Sequence, residues 1–548
     1  MSTGSSLKEN PVDFAKTSNP YMCSSIAFFS EHAISALCEK LRHEKLKHLI
    51  NTLEADGQRR LQAAIQSDAP PHELEEPSLE LQMQYISPIY PFLDQDHFER
   101  KAFSLQDNSL DPPYKPWLAL YYAILSLGCL YHEGGSFNSG KGLAWRYFRI
   151  SFSYFADVLI SKPSLLKAQA IFALNYSSLQ LETLCVTEAA RTVITLGLHK
   201  KTLDLESDIE GRRTFWVVYC IEKEYAFNST LASFISDGDI GCPLPSAPNS
   251  LLEGFDWLHC WARFSRILSR TYDTLFSITA TLNTEDNYLS YLACINHDLN
   301  AWRQSVPEAF RPEVPIRQHR MRHPVMKELA LRSHLAYYNL RICLSRLTIH
   351  VTHDKDSQRR SEAKRDLMLA ARSIVELMQF CALEPYSPVW NIGCMPLVAM
   401  FILFDFVVQN PSHHETRKNI SYLDIVAAHF ARLDLASQGA IRGLTVAQFA
   451  AIAKQFVNEC VGNREEEIYP PAVGLSTRIL SRSSPRGQEI AGADVSENAN
   501  EQNFPFDENF SGSMVDDALE FPEESNSLYM NLQHPGFDMA DIFGQTFL

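Results

Sequence analysis

Apolar positions recur every three to four residues along most of this chain, the spacing of helices that bury one face. From Ile26 to about Ile65 the recurrence runs Ile34, Leu37, Cys38, Leu41, then Leu46, Leu49, Ile50, Leu53. The stretch Trp117–Gly128 is apolar on every side and predicts a fully buried helix, ended by a glycine-rich loop from Gly134 to Gly142. Helical spacing resumes over 144–160. Residues 164–199 predict a helix pair, with Pro163 just before the first helix and Gly197 near the end of the second. Another helix is predicted over 212–227, with Phe215, Trp216, Tyr219 and Tyr225 along it; an irregular stretch follows, closing on Pro243 and Pro245.

The second half repeats the style. Helices are predicted at 255–278, 286–304, 324–350, 362–381, 391–409, 419–433 and 440–459. In the fourth of these, Leu367, Ala370, Ala371, Ile374, Leu377 and Met378 form one stripe. No alternating strand pattern is evident. The expected fold class is all-α, a large multi-helix bundle built as one domain or as two fused helical subdomains. The two ends depart from the pattern. Residues 1–20 read as disordered, 21–79 as an N-terminal helical segment with a Pro- and Glu-rich linker, and 80–460 as the main helical domain. Residues 461–503 read as a Ser-, Gly- and Asn-rich disordered linker, and 504–548 as an acidic, aromatic tail.

Charge sharpens this division. Among 548 residues, Lys plus Arg total 49 and Asp plus Glu 65, a formal net charge of −16. From Gly487 to Leu548 there are thirteen acids and no Lys or Arg, so the body is close to neutral and the tail holds the charge. Such a chain is a poor direct ligand for nucleic acid, whose phosphates are met by clustered Lys and Arg. The 12 cysteines are scattered, with no C-x-x-C pair and no His at metal-ligand spacing, which predicts free thiols in a reducing compartment. The N-terminus has no apolar signal core. The longest apolar run, Cys394 to Phe404, is cut by Asp405 short of the roughly 20 residues a membrane helix needs. The expectation is a soluble intracellular protein without membrane contact.

Strings that could carry chemistry fail on inspection. Gly135 to Gly142 (GSFNSGKG) nearly fits the phosphate-binding loop G-x-x-x-x-G-K-[ST], but Gly142 stands where a hydroxyl must reach Mg²⁺, and a helix precedes it where a strand is required. His319 and His323 have i, i+4 spacing, but no Glu follows the first, and Arg320, Arg322 and Pro324 make a poor metal helix. His413–His414 follows Pro411 in a turn, and Asp516–Asp517 lies in the tail rather than on a cavity-lining helix. No G-x-S-x-G occurs. No catalytic residue, metal or cofactor is expected.

Three segments in fixed order carry a resemblance. They are Ala189 to Lys200 (AARTVITLGLHK), Glu210 to Tyr219 (EGRRTFWVVY), and Phe234 to Ile240 (FISDGDI) followed by Pro243-Leu-Pro245. Together they resemble the fungal-specific transcription factor domain, the middle homology region of fungal binuclear zinc-cluster regulators. Tyr85 to Leu93 with Phe98 is similar to the family's opening segment, Leu299, Trp302 and Pro307 to its "L..W…LP", and Tyr337 to Arg346 and Ala370 to Arg372 to later helices. The resemblance covers about residues 80–460. It implies that Leu196, Gly197, Leu198, His199, Arg212, Arg213, Phe215, Trp216, Tyr219, Asp237, Asp239 and Pro245 shape the fold. The arginine pair is expected to fix helix packing with Glu210 and an aromatic, and the two aspartates to cap a turn. Two departures stand out: Leu231-Ala-Ser233 replaces a frequent Gly-Arg-Pro, and only Glu222 stands for the acid that follows "FW..Y". Family members open with six cysteines in a zinc cluster; here only Cys23 and Cys38 precede residue 100, so no such cluster is expected in this chain.

The resemblance implies a nuclear transcription regulator without its own DNA-binding module. It would act through a DNA-binding or full-length zinc-cluster protein, as a homo- or heterodimer, on a metabolic or secondary-metabolite gene set. The alternative is an inhibitor that sequesters a related zinc-cluster factor; a helical enzyme is a remote third. In the tail, Phe504, Phe506, Phe510, Phe521, Phe537, Met539, Ile542, Phe543 and Phe547 alternate with acids, the composition of an activation segment that docks in a coactivator groove. Met539, Ile542 and Phe543 would share one helical face.

Overall fold

The structure, a computed structural model, describes residues 31–49, 85–104, 114–131, 135–137, 141–175, 179–200, 209–229, 231–352, 354, 357–439, 441 and 443–468. Among them every regular element is helical, and no strand occurs. The all-α expectation holds.

The helices are α1 (Glu31–Leu41), α2 (Gln95–Ser104), α3 (Lys115–Tyr131), α4 (Leu143–Ser153), α5 (Phe155–Ile160), α6 (Leu165–Asn175), α7 (Leu179–Thr195) and α8 (Ile209–Asn228). They continue as α9 (Trp257–Thr271), α10 (Glu285–Ser305), α11 (Pro324–Val351), α12 (Gln358–Leu377), α13 (Met395–Gln409), α14 (Thr416–Ala436) and α15 (Gly443–Ile468). From α6 to α15 each helix packs mainly on its neighbours in sequence, while α3 is covered by α4, α5 and α6. One continuous apolar core runs from Ile34 on α1 to Val457 on α15.

Local chemistry sets the starts of these helices. The Asp256 carboxylate accepts the His259 N–H at 2.9 Å and opens α9. Thr284 caps α10 ahead of Glu285 and Asp286, acids placed where the helix dipole favours them. Pro324 begins α11, where its missing N–H costs no hydrogen bond.

Two helices end differently from their sequence pattern. The apolar spacing over 144–160 predicts one helix, but the chain turns at Tyr154, whose N–H bonds to Ser151 O at 3.1 Å. The Ser151 hydroxyl, in turn, donates to Ala119 O at 2.5 Å and fixes α4 against α3. Likewise the stretch predicted as 255–278 leaves α-geometry at Tyr272 and closes as a single π-turn over Tyr272–Phe276.

Helix α13 lies within the predicted 391–409, but its apolar stretch is longer than the run counted up to Asp405. A π-turn (Trp390–Cys394) leads into α13, and the combined Trp390–Gln409 is long and apolar enough to cross a membrane. It lies instead at the centre of the second half, 94% buried. Helices α12, α14, α15 and α1 pack around it. Membrane-like composition here reflects burial by protein on every side.

Candidate functional site

Helix α8 gathers the three sequence segments singled out above. Its Phe215, Trp216 and Tyr219 are completely buried, with 0% exposure. Trp216 Nε1 donates to Pro243 O at 2.8 Å, tying α8 to the loop that ends in Pro245. Tyr219 donates its hydroxyl to Asp237 at 2.8 Å. At the helix start Thr214 donates to Phe92 O at 3.0 Å, and Glu210 accepts from Gln169 of α6 at 2.8 Å.

The segment Leu196 to His199 is a helix stop built on glycine. Gly197 has φ +73°, a conformation glycine adopts without steric cost. Its N–H bonds to Ile194 O at 2.9 Å, and the Leu198 N–H reaches back to Val193 O at 3.1 Å. This paired closure satisfies the last carbonyls of α7. His199 then lies against the 241–242 backbone, its carbonyl accepting Gly241 N–H at 2.9 Å and Cys242 N–H at 3.0 Å. Burial pushes the His199 imidazole down from the usual histidine value, with Lys200 adding to the shift and Asp239 opposing it.

Charge concentrates at the other end of α8. Lys223 is buried, its ammonium donating to Ser233 Oγ at 2.7 Å and to Ile235 O, with Asp237 at 3.3 Å. Glu222, 1% exposed, accepts the Phe234 N–H at 2.7 Å and the Ser233 hydroxyl at 2.8 Å. Burial pushes its carboxyl up, against the opposing pull of Lys223 and the Phe234 N–H. Thus the two positions where the sequence departs from the family pattern, Glu222 and Ser233, bond to each other.

Several expected contacts take another form. Glu210 bonds to Gln169 and the Asp94 N–H rather than to the arginine pair. The guanidinium over Trp216 belongs to Arg266 of α9, 5.2 Å from the ring centroid, and not to Arg212 or Arg213, both half-buried. Asp237 does not cap the short Asp237–Asp239 turn; its carboxylate faces α8, where a buried ammonium and a buried phenol need an anion. Asp239 is exposed.

A second cluster, which the sequence pattern did not single out, joins the two halves of the chain. Arg332 of α11 donates to Glu224 of α8 at 2.9 Å and to the Tyr90 hydroxyl at 3.1 Å, and its guanidinium lies 4.2 Å from the Trp261 ring centroid. Trp261 Nε1 donates to the same Glu224 carboxylate. These four residues lie far apart in the chain, and helical spacing carries no signal for such a junction.

The chemical strings resolve into scaffold. The glycine-rich string joins α3 to α4, helix to helix, and residues 138–140 of it lie outside the described residues. His319 lies in a short turn, and His323 caps α11, its Nδ1 accepting the Val325 N–H at 3.3 Å. His413 Nδ1 accepts the Glu415 N–H at 3.2 Å. Among the described residues no group of three His, Cys, Asp or Glu side chains could hold a metal ion. Cysteines 38, 129, 185, 220, 242, 260, 294, 343, 381, 394 and 460 are free. Cys23, the tail aromatics Phe504 to Phe547 with Met539 and Ile542, and Asp516–Asp517 lie outside the described residues.

Residues 82–304 match the profile of the fungal specific transcription factor domain. Over that range the chain is similar to this domain. The matched range holds α8 and all three segments packed around it, and ends in α10. Curated relatives extend the likeness. An ABC-transporter-regulating transcription factor of Aspergillus fumigatus is 25% identical over 60% of this chain and 40% of its own length. A transcriptional regulatory protein of Schizosaccharomyces pombe is 23% identical over 65% of this chain and 59% of its own. AM-toxin biosynthesis protein 12 of Alternaria alternata is 20% identical over 48% of this chain and 75% of its own. The chain therefore spans well under half the length of the Aspergillus relative. No solved structure matches. Within the matched range Gly197, His199, Trp216, Tyr219 and Asp237 hold α7, α8 and the 234–245 segment together.

Proposed function

We propose that this chain is the regulatory part of a fungal transcription regulator and acts in the nucleus through partner proteins. The observation that carries this reading is the domain over residues 82–304, in a chain whose relatives are named as transcription regulators. The near-neutral body and the acidic, aromatic tail support contact with proteins over contact with nucleic acid. The partners proposed are a DNA-binding or full-length zinc-cluster protein at the body, as a homo- or heterodimer, and a coactivator at the tail. The names of the relatives point to transporter or toxin-biosynthesis genes, so a metabolic or secondary-metabolite gene set is proposed as the target. No catalytic step is assigned to the chain.

Transcript profiling of a deletion strain, together with a fluorescent fusion, tests the proposal. A confined gene set is expected to change, and the fusion is expected to accumulate in nuclei. Targets that fall on deletion mark an activator; targets that rise mark a chain that restrains a related factor. An unchanged transcript profile with the fusion excluded from nuclei would overturn the proposal.

A further inference from the structure

One stretch of the surface is strongly cationic. Between Val314 and Lys327 the chain carries Arg317, His319, Arg320, Arg322, His323 and Lys327, and no Asp or Glu. The stretch is pinned from inside, because Ile316 and Met321 are buried. A short turn over Gln318–Arg320 closes it, with the Arg320 N–H on Arg317 O at 2.9 Å and the Met321 N–H on Gln318 O at 3.0 Å. Arg317, Arg320, Arg322 and Lys327 are all exposed, so four cations are presented from an ordered backbone.

None of these four cations meets a carboxylate among the described residues. The acid before them in the chain, Glu313, is taken by Arg303 at 2.8 Å and by the Tyr337 hydroxyl at 2.9 Å. The acid after them, Glu328, is half-buried and accepts from the Tyr131 hydroxyl at 3.4 Å. Exposed cations elsewhere on the body are matched: Lys115 with Asp157 at 2.8 Å, Arg191 with Glu188 at 2.5 Å, Arg270 with Asp298 at 2.8 Å and Lys454 with Asp424 at 2.5 Å. The start of α11 adds to the excess at 317–327. Its first turn holds no acid, and the open N–H groups of a helix start carry partial positive charge.

We propose that the acidic tail of this same chain docks on this patch, through Asp516, Asp517, Glu520, Glu523 and Glu524. These five acids fall within nine residues, in a tail that has no Lys or Arg from Gly487 to Leu548. The opposite charge that the patch lacks on the body is thus carried on its own chain. The distance is within reach. Helix α15 ends at Ile468, and residues 469–515 extend to at most about 160 Å, against a radius of gyration of about 22 Å for a body of this size. The tether holds the tail at an effective concentration on the order of millimolar, so charge pairs that are individually weak suffice at low salt and fail at high salt. A docked tail is withheld from other partners. The inference concerns a contact within the chain and does not depend on the transcriptional role.

The test is zero-length carbodiimide cross-linking of the purified full chain, read by mass spectrometry, with isotopically light and heavy chains mixed to separate links within a chain from links between chains. At low ionic strength Lys327 is expected to link within the chain to acids of 516–524 at least about five-fold more often than Lys418, an exposed lysine of α14. Salt at about 1 M, where charges are screened within about 3 Å, is expected to remove that excess. Reversing the patch by Arg317→Glu, Arg320→Glu and Arg322→Glu together keeps Lys327 and is expected to abolish the excess; thermal melting verifies that this variant folds. A second variant leaves the body untouched. Asp516→Asn, Asp517→Asn, Glu520→Gln, Glu523→Gln and Glu524→Gln together are expected to raise the acetylation rate of Lys327 roughly two-fold or more, and this result decides should the reversed patch fail to fold. No excess of Lys327 links at low ionic strength, links confined to light–heavy pairs, an excess that survives the reversal in a folded chain, or unchanged acetylation of Lys327 would each overturn the proposal.

Discussion

Ser233 donates its hydroxyl to the Glu222 carboxylate at 2.8 Å, closing the loop that follows α8 onto the helix. Lys223 donates to the same Ser233 oxygen, so one small side chain joins a buried acid to a buried base. Glu222→Ala is expected to cost about 2–4 kcal/mol, because it strands the Phe234 N–H as well as the hydroxyl, and Ser233→Ala about 1 kcal/mol. Urea unfolding of the double variant should fall short of the sum by about 1 kcal/mol. Strict additivity would mean that the two groups are not coupled.

Two glycines should respond differently to alanine. At Gly197 an added Cβ meets only Lys200 Cδ at 3.8 Å, so the cost comes from the φ of +73° alone, about 1 kcal/mol. At Gly443 the added Cβ would lie 1.7 Å from Phe430 O of α14, a backbone atom that cannot move without separating α14 from α15. A loss of at least about 3 kcal/mol is expected there. Melting temperatures of the two variants, measured side by side, check the ranking.

Asp405 gives the protein a pH-dependent weakness. Burial pushes its carboxyl up from 3.8 to about 6, with Gln409, Lys40 of α1 and Arg346 of α11 opposing the shift. Because the folded value exceeds the unfolded one, its stabilising contribution is full below about 3.8 and is lost as pH rises through about 6. At pH 7.5 the ionised group costs on the order of 2 kcal/mol. Asp405→Asn should therefore raise the melting temperature at pH 7.5 and leave it nearly unchanged at pH 4. An equal shift at both pH values would assign the effect to packing instead.

Arg332→Lys tests the junction between the halves. Lysine keeps the charge but loses the planar fork that reaches Glu224 and Tyr90 while covering Trp261. A loss of about 1–3 kcal/mol is expected. Trp261→Phe in the same background should then cost less than it does alone, a difference that equilibrium unfolding can read.

What the sequence made legible follows from range. Period-3.6 spacing is local, so it placed α10 to α14 closely and Gly197 near the end of a helix, but it ran past the end of α9 at Thr271 and stopped short of Ile468 in α15, inside the stretch expected to be a linker. The breaks at Tyr154 and Tyr272 have no proline or glycine to mark them and depend on contacts such as Ser151 with Ala119. Asp405 interrupted the apolar run in the sequence, and the partners that surround it on α1 and α11 are distant along the chain. For the same reason Arg212 and Arg213 drew attention beside Trp216, whereas the cation over that ring is Arg266.

The central claim, a transcriptional role, is tested most directly by fusing residues 487–548 to a heterologous DNA-binding domain and measuring a reporter. The account predicts strong activation that is lost when Ile542 and Phe543 are both changed to Ala. A reporter that stays at background with the unaltered segment would contradict activation through the tail.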